Sequence, residues 1–347
     1  MTLSLHRIQL PLKAPVASSN QVIDVRQSIL LEYQYLGTSI WSEAPAFSTS
    51  DYMPETHDVV WQRLVQDGDA ILNALHAGNI TELINQKEQP IYSFALDGLY
   101  CQLMARQQHQ SFMDFLGSQP AKVDGTAMIG IQPTASEYHQ IIDKVYNAGY
   151  RAIKFKVSPQ VIHRVAGIIE SIQSRFDYIC VDANGSFDDA TWPILECLPQ
   201  EITIEQPVHR NNNELLFKII KELPNQCLLD ESIRHIDDIS NFQGLGVGIM
   251  LKPVCVGGLR QTVKMIHCCN DFSIPCGVSG YLDSGIGRYL QWIIAQHPGL
   301  WLRPDFVWSD YYFHKDVITV HDGIDTDFPT TYKLDPEFII ESVHITD

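Results

Sequence analysis

Two patterns of apolar and polar positions divide the chain. Over residues 3–12 apolar and polar side chains alternate, the period of two that places neighbours on opposite faces of a strand. Residues 28–35 (SILLEYQY) read as a second strand and residues 38–43 as a third. The stretch 15–27, rich in Ser, Asn and Gln, predicts a loop between the first two strands. A second irregular loop is predicted over 44–55, which holds Pro45 and Pro54 with Phe47 and Tyr52. Helical spacing follows from 56, over 69–77 and over 92–109, so residues 1–120 predict an α+β unit.

From about residue 124 short apolar runs alternate with helical stretches. The runs lie at 127–131, 152–157, 178–182, 202–205, 227–230, 248–251 and 274–278. Helical periodicity fills gaps such as 135–147, 161–175 and 212–223. Strand–helix alternation predicts a parallel sheet, and seven units in about 190 residues fit a (β/α) barrel over 121–316 better than an open sheet. Alternation resumes at 317–320 and 336–344, which predicts that the segment 317–347 returns to the first block.

The 347 residues are 45% hydrophobic and 19% charged, the balance of an ordinary globular enzyme. Lys plus Arg number 24 against 41 Asp plus Glu, a net charge of -17 that repels nucleic acid and anionic membranes. An anionic small molecule must therefore be caught by locally placed cations. No apolar run reaches membrane-span length, and the N-terminus lacks the apolar core of a signal peptide. Eight cysteines without a CxxC pair predict reduced thiols and a cytoplasmic setting. A homo-oligomer stays open.

Chemistry gathers where the predicted strands end. Lys154 and Lys156 share one face of their strand, and Asp182, Glu205, Asp230 and Lys252 end the next four. From Lys156 onward these positions are 26, 23, 25 and 22 apart, about one βα unit each. Each residue has an ordinary alternative: Asp182 can open a turn, Glu205 can face solvent in a loop, Asp230 can cap a helix, and Lys252 can lie on the surface. In a barrel, however, all of them converge on one mouth. Three carboxylates on adjacent strands form an oxygen site suited to Mg²⁺, and the lysines stand on either side of it. A nearby metal and partial burial favour the neutral amine, so a lysine can act as base for a proton next to a carboxylate.

The motifs IKFKV (Lys154, Lys156), VDANGSF (Asp182, Asn184), IEQPV (Glu205), LLDESI (Asp230, Glu231) and LKPVCVGGL (Lys252) resemble those of the enolase superfamily, muconate-lactonizing subgroup. The chain is most similar there to the branch of o-succinylbenzoate synthases and N-acylamino acid racemases. The resemblance implies a (β/α)7β TIM barrel with an α+β capping domain built from residues 1–120 and the C-terminal segment. It implies Mg²⁺, with Mn²⁺ as a substitute, on Asp182, Glu205 and Asp230, supported by Asn184 and Glu231. Lys156 and Lys252 would flank a small-molecule carboxylate substrate, and Lys154 would tune Lys156 and help hold that carboxylate. The implied reaction is dehydration of a succinyl-hydroxycyclohexadiene carboxylate to 2-succinylbenzoate through an enediolate, a step of menaquinone synthesis.

The chain departs from the pattern in places. Asp283-Ser284 stands where the family has a Glu-Ser pair, which leaves both residues as candidates for substrate contact or support. Ser39-Ile-Trp-Ser-Glu43 replaces a Gly-Trp-Gly-Glu turn, and Ser158-Pro159 replaces a Pro-Gly pair. Rival readings are an N-acylamino acid racemase, a dipeptide epimerase, a muconate cycloisomerase, or a barrel that binds a metabolite without turnover. The sequence Arg303-Pro-Asp305-Phe lacks the Asp-x-Asp of the epimerases, and Lys252 argues against a mandelate-racemase type of site.

Overall fold

The computed structural model describes residues 1–17, 22–85, 87–319 and 332–346. Strands β1 (Thr2–Ala17), β2 (Val22–Tyr35) and β3 (Thr38–Ala44) form an antiparallel sheet. Its core face carries Leu3, Leu5, Leu31, Tyr33 and Ile40, all fully buried. The loop predicted over 15–27 is largely strand instead. Val16 pairs with Ile23 and Ala17 with Val22, after a register shift beyond Pro11. The β-branched Val22, Ile23 and Val25, once paired with β1, outweigh the turn-forming residues around them. Residues 18–21 of that predicted loop lie outside the described residues.

Three helices, His57–Gln66, Gly68–His76 and Pro90–Gln107, cover the inner face of this sheet. The third is buried almost all round, the mark of a helix with partners on both sides. On one side it meets β3, where a Cβ at Gly98 would collide with Ser42. On the other, Asp97 pairs with Arg260 of the helix Leu259–Asp271. Its start is held from a distance: the Glu55 carboxylate accepts the N–H groups of Ile91 and Tyr92, at 2.7 and 3.2 Å.

The second sheet is parallel and curled. It runs through β4 (Ala127–Ile129), β5 (Ala152–Lys156), β6 (Tyr178–Asp182), β7 (Thr203–Glu205), β8 (Cys227–Leu229), β9 (Gly248–Leu251) and β10 (Cys276–Val278), neighbours in chain order. Helices such as Ala135–Asn147, Ile162–Ile172 and Asn213–Glu222 cross between strands, which is what parallel pairing requires. An irregular eighth segment spans the gap between β10 and β4. The Asp305 N–H donates to the Val278 carbonyl at 2.7 Å, and the Thr126 N–H donates to the Pro304 carbonyl at 3.2 Å. This is a TIM barrel beneath an antiparallel cap.

Strand β11 (Ile339–Thr346) pairs antiparallel with β1, from Thr2↔Thr346 to Ile8↔Ile339, and completes the cap sheet in the order β11-β1-β2-β3. The alternation read at 317–320 does not form a strand: Val317 and Ile318 lie in a bend. Among the described residues no ladder partner faces them, and position 320 lies outside the described residues. No helix among the described residues is long and apolar enough to cross a membrane.

Candidate active site

Register brings the strand-end residues together. Lys156 lies beside Asp182 across the β5–β6 pair, and Asp182 lies beside Glu205 across β6–β7. Asp230 and Lys252 directly follow β8 and β9. The three carboxylates are each at most 2% exposed, so an apolar barrel holds a concentrated negative charge.

Lysines answer part of that charge. Lys156 donates to Asp182 Oδ2 at 2.6 Å and to Asn184 Oδ1 at 2.8 Å. Lys154 lies deeper, 2.9 Å from Glu205 and 3.2 Å from Asp182, with Asp305 of the closing segment as a third partner. Lys252 bonds Asp230 and donates to the Tyr52 hydroxyl at 2.6 Å. Burial works against charge on Asp182, yet Lys156, Lys154 and Lys252 hold it well below the ordinary carboxylate range. Burial also opposes charge on Lys154 and Lys252, but carboxylates outweigh it and push both ammonium groups up. Here the lysines themselves are the counter-ions of the carboxylates.

The supporting residues divide. Asn184 links two sides of the site: its Oδ1 accepts from Lys156 and its amide donates to Glu231 Oε1 at 3.0 Å. Asp283 and Ser284 are bonded by the protein itself. Asp283 accepts from the Tyr281 N–H and from Gln291, at 2.9 and 2.6 Å. Ser284 donates its hydroxyl to Glu43 at 2.6 Å and caps the helix Gly285–Ala295. Lys154 is likewise spent on protein carboxylates and does not line the cavity described next.

Lys156 and Lys252 line one cavity together with Asn184, and its walls are Phe47, Tyr52, Met128 and Leu282. Two neighbouring cavities share its lining, one through Lys156 and Met128, the other through Tyr52 and Asn184. A separate cavity at the opposite face, beside Arg151 and Asp177, contains none of the strand-end residues.

Four residues here were not read from the sequence. Tyr52 reaches down from the cap loop to Lys252, Asp305 fixes Lys154, and Arg26 ties the cap loop to the barrel. Gln206 binds the loop after β8, its Oε1 accepting the N–H groups of Asp230 and Ser232 at 3.1 Å each. The signal for Gln206 lay in the IEQPV motif itself. Asn184, Gln206 and Leu282 all adopt positive φ, +43°, +39° and +58°, at the same mouth. Non-glycine residues hold such conformations where surrounding structure over-determines them, which is common at functional sites.

The donor set fits a hard divalent cation. Glu231 Oε2 is buried with no hydrogen-bond partner among the described residues. Burial pushes Glu205 up to about 8 against the pull of Lys154, and Asp182, Asp305 and Asp230 add to the rise. A cation on these oxygens would relieve that repulsion. Among the described residues the acidic groups are not gathered into a ready cage, since their oxygens are turned toward the lysines.

The model of the Enolase C-terminal domain-like family matches residues 137–330, more than half of the chain, and the protein belongs to that family of enzymes. Among its relatives, an o-succinylbenzoate synthase of Geobacillus kaustophilus is 28% identical, over 92% of this chain and 88% of its own. An N-succinylamino acid racemase of Amycolatopsis is 25% identical, over 90% and 87%. A solved enolase-superfamily member from Listeria innocua superposes with a TM-score of 0.84 at 20% identity, covering 99% of this chain and 98% of that one.

Proposed function

We propose that this enzyme is a Mg²⁺-dependent o-succinylbenzoate synthase, a lyase that removes water from a succinyl-hydroxycyclohexadiene carboxylate. The observation that carries the reading is that Lys156 and Lys252 line one cavity on either side of the strands bearing Asp182, Glu205 and Asp230. Similarity to o-succinylbenzoate synthases over nine-tenths of the chain supports it. The capping and barrel units take the extents 1–120 plus 317–347 and 121–316.

Asp182, Glu205 and Asp230 would hold Mg²⁺, or Mn²⁺ in its place, which supplies Lewis-acid stabilisation of negative charge on a substrate carboxylate. Lys156 Nζ takes the proton on the carbon next to that carboxylate. The electron pair moves into the carboxylate to give an enediolate. Lys252, kept charged by Asp230, faces that developing charge and stabilises it by Coulombic attraction in a site of low dielectric. The pair then returns to the ring as hydroxide leaves with the proton that Lys156 took up, so one water is lost and the ring becomes aromatic. Asn184 orients Lys156, and Lys154 holds Glu205 and Asp182 in place.

A second reading, racemisation of N-succinylamino acids, is supported by the Amycolatopsis relative and needs the same two lysines as opposed bases. Dipeptide epimerisation is disfavoured because Asp305 is taken by Lys154 and by Ser279. The test is direct: with the diene carboxylate and Mg²⁺, its absorbance should fall at a rate proportional to enzyme. No loss of absorbance would put the racemase reading first.

A further inference from the structure

Arg26 lies on β2, 1% exposed, and spends its guanidinium on backbone carbonyls of three segments. Nε donates to Leu282 O at 2.8 Å, and Nη1 to Gln27 O at 2.6 Å and Ala46 O at 3.0 Å. Nη2 donates to Pro45 O. The guanidinium also stacks on Phe47, 4.5 Å from the ring centre. One planar fork thus holds the cap loop after β3 against the barrel loop after β10.

Both loops end in the cavity. Phe47 lies 4.8 Å from Tyr281, and Tyr281 lies 5.4 Å from Tyr52. Tyr52 in turn accepts the hydrogen bond from Lys252. Phe47, Tyr281, Leu282 and Tyr52 line the same cavity as the two lysines. Burying a guanidinium is costly, and an apolar side chain would fill a merely structural gap at less expense. A lysine could not replace it, because three donors on one atom cannot span carbonyls on three segments.

We propose that Arg26 is a positioning residue: it fixes the aromatic wall Phe47–Tyr281–Tyr52 over the cavity and so sets where the Tyr52 hydroxyl holds Lys252. The proposal rests on the reading that Lys252 works in turnover. Arg26→Lys, Tyr52→Phe and the double variant test it with Mg²⁺ present. Two readouts apply: steady-state kinetics on the diene carboxylate, and hydrogen exchange of the segments 44–55 and 280–284.

Arg26→Lys should speed exchange in those two segments while the rest of the barrel keeps its protection. It should lower kcat about tenfold and raise KM, since small displacements of a positioned group are costly. Tyr52→Phe should lower kcat with little change in KM. In the Tyr52→Phe background, Arg26→Lys should then cost less than about twofold in kcat, because both changes act through one contact. Unchanged exchange in both segments, or fully additive losses in kcat, would overturn the proposal. If Arg26→Lys fails to fold, Phe47→Leu cuts the same chain of contacts and carries the same expectations. A wild-type enzyme without turnover would count against the reaction instead, and the exchange measurement would still decide the role of Arg26.

Discussion

Two buried charged networks lie close together in this molecule, and they are built on opposite principles. At the junction of cap and barrel, Glu43 is fully buried and accepts four hydrogen bonds. They come from Ser28 Oγ at 2.6 Å, Ser284 N at 3.1 Å, Ser284 Oγ at 2.6 Å and Gly287 N at 2.7 Å. Its carboxylate is saturated by its own chain. At the barrel mouth, Asp182, Glu205, Asp230 and Asp305 share three lysines, and Glu231 Oε2 has no hydrogen-bond partner among the described residues. The first network fastens two units together. The second opens on the cavity that Lys156, Asn184 and Lys252 line, and that access, rather than burial or charge alone, marks it as the site.

Substitutions should separate the two networks. The largest effect is expected for Lys156→Ala, which should lower turnover of the diene carboxylate about 10³-fold, the scale of a lost general base. Its thermal unfolding and Mg²⁺ affinity should stay near wild type; activity close to wild type would remove Lys156 from the mechanism. Asp230→Asn comes next and should weaken Mg²⁺ binding at least about tenfold in a calorimetric titration. An unchanged titration would take Asp230 out of the ligand set.

Glu43→Gln should behave in the other way. It replaces an acceptor with an amide facing hydrogen-bond donors, at a cost of about 1–3 kcal/mol in urea unfolding. Mg²⁺ affinity should not change, and a loss of it would merge the two networks into one. The smallest effect concerns pH. Burial and then the neighbouring Glu43 raise Asp283 from 3.8 to about 6. The folded protein therefore keeps a proton that the unfolded chain has released. The resulting stabilisation is complete below pH 3.8 and is lost as pH rises through about 6. Asp283→Asn should lack this term, so the stability difference between wild type and variant should shift against the wild type from pH 4 to 7.

The same contrast explains what the sequence disclosed. Lys156, Asp182, Glu205, Asp230 and Lys252 were legible because barrel geometry puts one such position at each strand end, and the chain repeats that interval. The boundaries of β5 and β6 were legible because their apolar runs are short and end on charged residues. Tyr52 and Arg26 were not, since their contacts depend on the path of the loop after β3. A Tyr in such a loop, or an Arg whose partners lie on it, has no period to betray it. The extension of β1 and β2 into 15–17 and 22–27 was missed because the Ser, Asn and Gln of the connection read as turn formers. Only pairing between the two strands makes Val22, Ile23 and Val25 count as strand.

The central claim is that Lys156 removes the proton next to the substrate carboxylate while charged Lys252 stabilises the enediolate. It is tested most directly by following the absorbance of the diene carboxylate with Mg²⁺ present for the wild type, Lys156→Ala and Lys252→Ala. The account predicts that both variants lose turnover, Lys156→Ala by about 10³-fold. Turnover close to wild type in either variant would contradict it.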